Sequence, residues 1–235
     1  MSPIKPYRFY PKTEIQRRAN DLLMRMQLTP NWQPIWPFEA DRVADFLDLG
    51  VVWDKIPADA TGPIAARILP RDRLIEINEE ILELPAGFQQ STIAHEIGHW
   101  MLHINYSLLD VETEELEYEN AADGPQQFVC RANSGLDKVE LIEWQAQYFA
   151  SCLLMPRSIL SEKCQGRDLT KWSNLYALRS ELGVSISNLV NRLQDLGWIE
   201  VPKGSRKIYL GTATISEQIP MFGYIRRSFA SRIKE

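Results

Sequence analysis

The chain has 235 residues, 45% of them hydrophobic, enough for one large domain or a domain with a small appendage around a real core, which excludes an intrinsically disordered protein. Net charge is only -5 but unevenly spread: residues 74–130 hold twelve Asp or Glu and no Lys or Arg, whereas from residue 170 onward ten Lys or Arg stand against five Asp or Glu. Two functionally different regions are therefore expected.

Residues 1–10 carry two prolines and several charged or aromatic interruptions where a signal peptide needs an apolar run, and no later stretch approaches transmembrane length. The three cysteines, Cys130, Cys152 and Cys164, form no C-x-x-C pair. That number and spacing argue against a disulfide framework or a cysteine-based metal site and fit a reducing, cytoplasmic setting.

In chain order, 13–26 reads as a helix with Ile15, Ala19, Leu22, Leu23 and Met26 on one side, ended by Pro30, Pro34 and Pro37. Residues 38–47 predict a second helix and 50–54 a short apolar strand. The runs 64–69 and 74–78, separated by Pro70-Arg71-Asp72-Arg73, predict a hairpin. After Pro85-Ala86-Gly87 comes a long helix on which Ile93, Ile97, Trp100 and Ile104 form a core-facing stripe. Its other face carries His95, Glu96 and His99 and is expected to open on a cleft. Residues 105–127 read as an acidic surface loop, and 128–130 as a brief strand. A further helix spans 138–155 and stops before Pro156. Its small residues Ala146, Ala150 and Ser151 would let a neighbouring helix approach closely. Helices at 170–182 and 186–196 around Gly183-Val184-Ser185, then strands at 198–201 and 206–210, sum to a small winged helix.

All three histidines fall in the window His95 to His103, which begins with H-E-x-x-H. Residues four apart on a helix share a face, so His95 and His99 can address one ion, and Glu96 beside it can take a proton from water. A catalytic zinc usually has three protein ligands. His103 lies about 12 Å along the axis from His95 on an unbroken helix, too far for the same ion. Leu102 occupies the position where a metzincin has its chain-turning glycine. His103 is therefore expected in the core or behind a ligand. The third ligand should then be a carboxylate, and helix 138–155 offers Glu140 and Glu143. Glu143 is the better candidate, sharing a face with Gln147, Ala150 and Leu154, an arrangement that resembles the two-histidine, one-glutamate site of gluzincin peptidases.

The segments Ser91-Thr92-Ile93-Ala94-His95-Glu96-Ile97-Gly98-His99, ending in Leu102-His103, and Glu143-Trp144-Gln145-Ala146-Gln147-Tyr148-Phe149-Ala150 with Leu153-Leu154-Met155-Pro156 resemble the ImmA/IrrE family of metallopeptidases. That family's pattern runs T-I-A-H-E-x-G-H-x-x-L-H and then E-x-x-A-N-x-F-A-x-x-L-L-M-P. The resemblance covers about residues 64–156. It implies an α+β fold with a zincin-like core, a small mixed sheet plus an active-site helix and a ligand helix, followed by a winged-helix-like helical region. It also implies Zn²⁺ held by His95, His99 and Glu143 with Glu96 as general base, although imidazole and carboxylate suit Mn²⁺ and Fe²⁺ as well. The expected domains are 1–165, metallopeptidase, and 166–235, winged-helix-like. Gln147 departs from the family's asparagine, keeping an amide that could hydrogen-bond a ligand from one methylene further out. The long acidic segment before Phe128 is a second departure.

The resemblance further implies a protein substrate, commonly a helix-turn-helix repressor cut once to release transcription. An extended substrate is expected along the edge of the 64–78 hairpin, with the acidic stretch favouring a basic segment. Tyr148 and Tyr106 are candidate donors to the oxyanion. Two rival readings are a DNA-binding regulator acting through the winged helix and a catalytically silent metal- or stress-sensing scaffold. The first is weakened by the second winged-helix helix, where Arg192 is the only cation and Asp195 lies nearby.

Overall fold

A computed structural model describes residues 3–60, 62–109, 128–130, 138–213 and 215. The elements are α1 (Lys12–Leu28), α2 (Ala40–Phe46), β1 (Gly50–Asp54), β2 (Ala66–Leu69), β3 (Leu74–Asn78), α3 (Ala86–His103), β4 (Phe128–Cys130), α4 (Lys138–Leu154), α5 (Arg157–Cys164), α6 (Trp172–Leu182), α7 (Ile186–Asp195), β5 (Ile199–Glu200) and β6 (Tyr209–Leu210). The fold is α+β. Two compact units are distinguished, Met1–Arg18 with Glu39–Ala150, and Ala19–Phe38 with Ser151–Glu235, so α1 and α4 each contribute to both. Among the described residues no helix is long and apolar enough to cross a membrane.

In the first unit the sheet order is β1-β3-β2-β4. The hairpin forms as the alternation predicts, with Ala66 opposite Ile77 and Leu69 opposite Leu74. Ala66 and Ile68 on β2 and Ile75 and Ile77 on β3 are fully buried, and Arg67 pairs with Glu76 directly across the ladder on the other face. Asn78 ends β3 and is buried. Its amide donates to the Ile56 and Ile64 carbonyls at 3.1 and 2.9 Å, and its oxygen accepts from the Glu80 amide, starting a short 3-10 turn over Glu79–Glu83 that the apolar pattern does not reveal.

The hairpin is not an edge, which corrects the expected position for substrate. β3 is flanked by the parallel β1 and β2 by the antiparallel β4, so among the described residues the outer strands of this sheet are β1 and β4. Both flanking pairings join segments distant in sequence, which local alternation cannot report.

Helix α3 packs on β2 and β3, and Ile93, Ile97 and Trp100 of its apolar stripe are all buried as expected. It begins after Pro85, whose carbonyl accepts from the Phe88 amide at 2.7 Å, and ends where Ile104 turns extended. There the N-terminal segment pairs with it: the Lys5 amide donates to the His103 carbonyl, and the Asn105 amide to the Pro3 carbonyl, both at 2.8 Å. Of the expected acidic loop, 106–108 form one 3-10 turn, and 110–127 lie outside the described residues.

In the second unit, Pro156 starts α5, a short helix absent from the expectations. Gly183 closes α6 in the left-handed conformation, φ 73°, a backbone that a Cβ would strain, and Ser185 caps α7 by accepting from the Asn188 amide. The Gln194 side chain accepts from the Val201 amide at 2.9 Å, and β5 and β6 pair antiparallel with Ile199 opposite Leu210. Arg192 is fully buried, its Nε donating to the Met155 carbonyl at 3.2 Å. On α7 the exposed side chains are Ser187, Asn191 and Asp195, so this helix presents no exposed cation.

Candidate metal centre

The site is built where α3 and α4 of the first unit meet. Gly98, the second variable position of H-E-x-x-H, makes the approach possible. A Cβ there would lie 2.7 Å from the Ala146 carbonyl oxygen and 3.0 Å from its Cα. With hydrogen at 98 and a methyl at 146, the two backbones touch. Glu143, one turn before Ala146, is thereby carried to His95 and His99.

The ligand atoms of His95, His99 and Glu143 all lie within 4.8 Å of one another. His95 Nε2 is 3.0 Å from one Glu143 oxygen, and His99 Nε2 is 3.3 Å from the other. The two Nε2 atoms are 3.0 Å apart. Three groups able to donate lone pairs thus converge on one point, the set by which a divalent cation is held in zincin-like sites. Glu140, the alternative on α4, has its side chain outside the described residues.

Electrostatically the site favours that state. Burial alone would raise the Glu143 carboxyl, but the closeness of the His95 and His99 imidazoles outweighs it and holds the group well below the usual carboxylate range. Burial lowers His99 and pushes His103 down to about 3, with the neighbouring His99 adding to the latter, and in both rings the shift favours the neutral form. Glu96 is 0% exposed, and neither carboxylate oxygen has a hydrogen-bond partner among the described residues. Burial pushes it up to about 8, with His95 opposing and the Glu143 charge adding to the shift.

The polar face of α3 does not open on a cleft as expected. His95, Glu96 and His99 are all buried, because α4 lies across them at Gly98; of the three converging groups it is Glu143, with 19% of its side chain exposed, that reaches solvent.

His103 is buried behind His99, with Nδ1 to Nδ1 3.1 Å apart, as a residue behind a ligand should be. The amide that reaches this layer is not Gln147, which is exposed, but Gln145, which is fully buried. Gln145 Oε1 lies 3.3 Å from His103 Nε2, and its Nε2 lies 3.1 Å from the Arg8 carbonyl. Gln145 is not among the residues the motifs single out, and its signal in the sequence is its place as a polar residue on the stripe shared with Phe149 and Cys152, both fully buried.

Neither tyrosine proposed for the oxyanion is well placed. The Tyr106 hydroxyl donates its one proton to the Trp100 carbonyl at 2.7 Å. Tyr148 lies about 140° round α4 from Glu143, its ring stacked 5.7 Å from Trp144 with the Lys12 ammonium above it.

No curated protein sequence matches the chain. Residues 60–194, more than half of it, match the family model described as Peptidase_M78, IrrE N-terminal-like domain, and that stretch contains every residue of the His95, His99 and Glu143 cluster. The chain belongs to the Peptidase_M78 family of IrrE N-terminal-like domains.

Proposed function

We propose that the protein is a zinc-dependent endopeptidase that hydrolyses one peptide bond in a specific regulatory protein, a helix-turn-helix repressor, and so relieves transcriptional repression under stress. The observation that carries the catalytic reading is the convergence of His95, His99 and Glu143 beside a buried Glu96 whose oxygens have no donor among the described residues. A buried carboxylate without partners is costly, and a water brought in with a cation would satisfy it. The donor set fits Zn²⁺, and Mn²⁺ or Fe²⁺ would accept the same groups. The repressor as substrate rests on the resemblance of the two motifs.

In this reading His95, His99 and Glu143 hold the ion. When bound, the ion supplies Lewis-acid polarisation of the scissile carbonyl and a water made nucleophilic at neutral pH. Glu96 takes the proton from the attacking water and returns it to the leaving amine. Burial raises its proton affinity and therefore suits it to that exchange near neutrality. Residues 1–165 would form the peptidase domain and 166–235 a winged-helix-like region. A cytoplasmic location fits Cys152 and Cys164, which are buried thiols rather than disulfide partners.

The DNA-binding reading, which rests on the ten basic residues from 170 onward, is weakened further by the burial of Arg192, the one cation on α7, since phosphate contact needs an exposed basic face. The test is co-expression of the chain, or its Glu96→Gln form, with candidate repressors. The expected result is one discrete cut by the parent and none by the variant, with equal metal content in both. Cleavage by Glu96→Gln at the parent rate refutes the role of Glu96. Metal binding without any cut would favour the silent scaffold.

A further inference from the structure

Behind His99 lies a chain of hydrogen bonds whose direction can be read from its far end. The Arg8 backbone carbonyl can only accept. Gln145 therefore turns its NH₂ toward it, across 3.1 Å, and this fixes the amide orientation. The Gln145 oxygen is then the atom 3.3 Å from His103 Nε2, and a carbonyl oxygen accepts, so Nε2 carries the His103 proton. A neutral imidazole has one N–H, which leaves His103 Nδ1 as a lone pair. The contact of 3.1 Å between the Nδ1 atoms of His103 and His99 then needs its proton from His99. With Nδ1 protonated, His99 Nε2 is bare, and it is the atom that faces Glu143 and His95.

We propose that His103 and Gln145 are positioning residues that lock His99 in the Nδ1–H tautomer, with Nε2 bare and aimed at the metal, through a relay anchored on the Arg8 carbonyl. The proposal rests on the metallopeptidase reading for the ion but not for the order of the hydrogen bonds. A metal-ligating histidine needs its second nitrogen held by an acceptor, which orients the ring and sets its tautomer. Here the acceptor is another histidine, itself held by a buried amide. All members of the relay lie in the first compact unit. Both rings are buried, His99 at 0% and His103 at 6% exposure, where an imidazolium would have to give up its hydration, so the neutral ring is the form the relay takes. The role also explains why a glutamine is tolerated on the buried stripe of α4, since both ends of its amide have partners.

The test uses the full chain labelled with ¹⁵N-histidine, which contains only three imidazoles. Long-range ¹H–¹⁵N correlation spectra of the metal-free protein report which ring nitrogen carries the proton. The expected pattern is Nδ1–H for His99 and Nε2–H for His103. A His99 protonated on Nε2, or averaging between tautomers, overturns the proposal. Zn²⁺ titration is then compared between the parent and Gln145→Met, with an expected loss of affinity of about 10–100-fold and loss of the single His99 tautomer. Unchanged affinity overturns the positioning role. Should Gln145→Met fail to fold, the parent's tautomers still decide. A parent showing Nδ1–H for His99 and Nε2–H for His103 but taking up no Zn²⁺ refutes the metallopeptidase reading and the metal-directed role with it, while the hydrogen-bond order stands, so the two failures are distinguishable.

Discussion

Replacing Gly98 by alanine isolates the contact on which the metal centre is assembled. In an ordinary helix the substitution would stabilise by about 1 kcal/mol, because alanine is the better helix former. Here the new methyl would sit 2.7 Å from the Ala146 oxygen, against a near limit of 3.4 Å for ordinary contact, and the obstacle is backbone that cannot rotate away. The helices must therefore part by several tenths of an ångström. Overpacking of this kind costs about 1–3 kcal/mol, which leaves a net loss of about 0–2 kcal/mol once propensity is counted. For a chain of this size that lowers Tm by about 2–4 °C per kcal/mol. The larger effect falls on the ion. Glu143 moves with α4, and metal–ligand distances tolerate only about ±0.2 Å, so Zn²⁺ affinity should fall by an order of magnitude or more. Thermal scans with and without chelator, and Zn²⁺ titration calorimetry, measure both. A Gly98→Ala protein with raised Tm and unaltered Zn²⁺ affinity would refute the claim that close helix approach builds the site.

Two further outcomes follow from buried groups in the second unit. Arg192→Leu strands the Met155 carbonyl and should cost about 1–3 kcal/mol in urea unfolding, without altering retention on DNA at low or high salt. Reduced DNA retention with unchanged stability would show that Arg192 acts on phosphate instead. Burial pushes the Cys164 thiol up to about 12. At pH 8, below both the ordinary and the raised value, the thiolate fraction is then lower by about a thousandfold. Alkylation followed by peptide mass spectrometry should find Cys164 unmodified in the native protein and modified after unfolding, and rapid native labelling would contradict its burial.

Much of the fold is legible from local pattern. Ile15, Ala19, Leu22, Leu23 and Met26 set the face of α1, and the 64–78 hairpin and the paired helices α6 and α7 follow from apolar spacing and turn residues. The metal cluster is legible because ligands four apart on a helix advertise themselves, and Glu143 because the motif around it does. What escapes is set by distant pairing. The hairpin is hidden between β1 and β4, which only the assembled sheet decides. Gln147 drew notice for departing from the family's pattern, yet Gln145 holds the histidine, because its role depends on a partner 42 residues away and a carbonyl 137 residues away. Gly98 reads as an unspecified position until Ala146 is placed against it.

The crossing of Gly98 with Ala146 also divides the chain into lengths that are free to change and lengths that are not. The residues in contact are 48 positions apart, yet doubling such a connection costs only about 0.6 kcal/mol of closure entropy. One residue inserted between Glu143 and Ala146 would instead rotate the carboxylate by about 100° round α4 and remove it from the histidines. Insertions between the two motifs, outside β4 and α4, should therefore preserve metal binding, while the spacing inside each helix stays fixed.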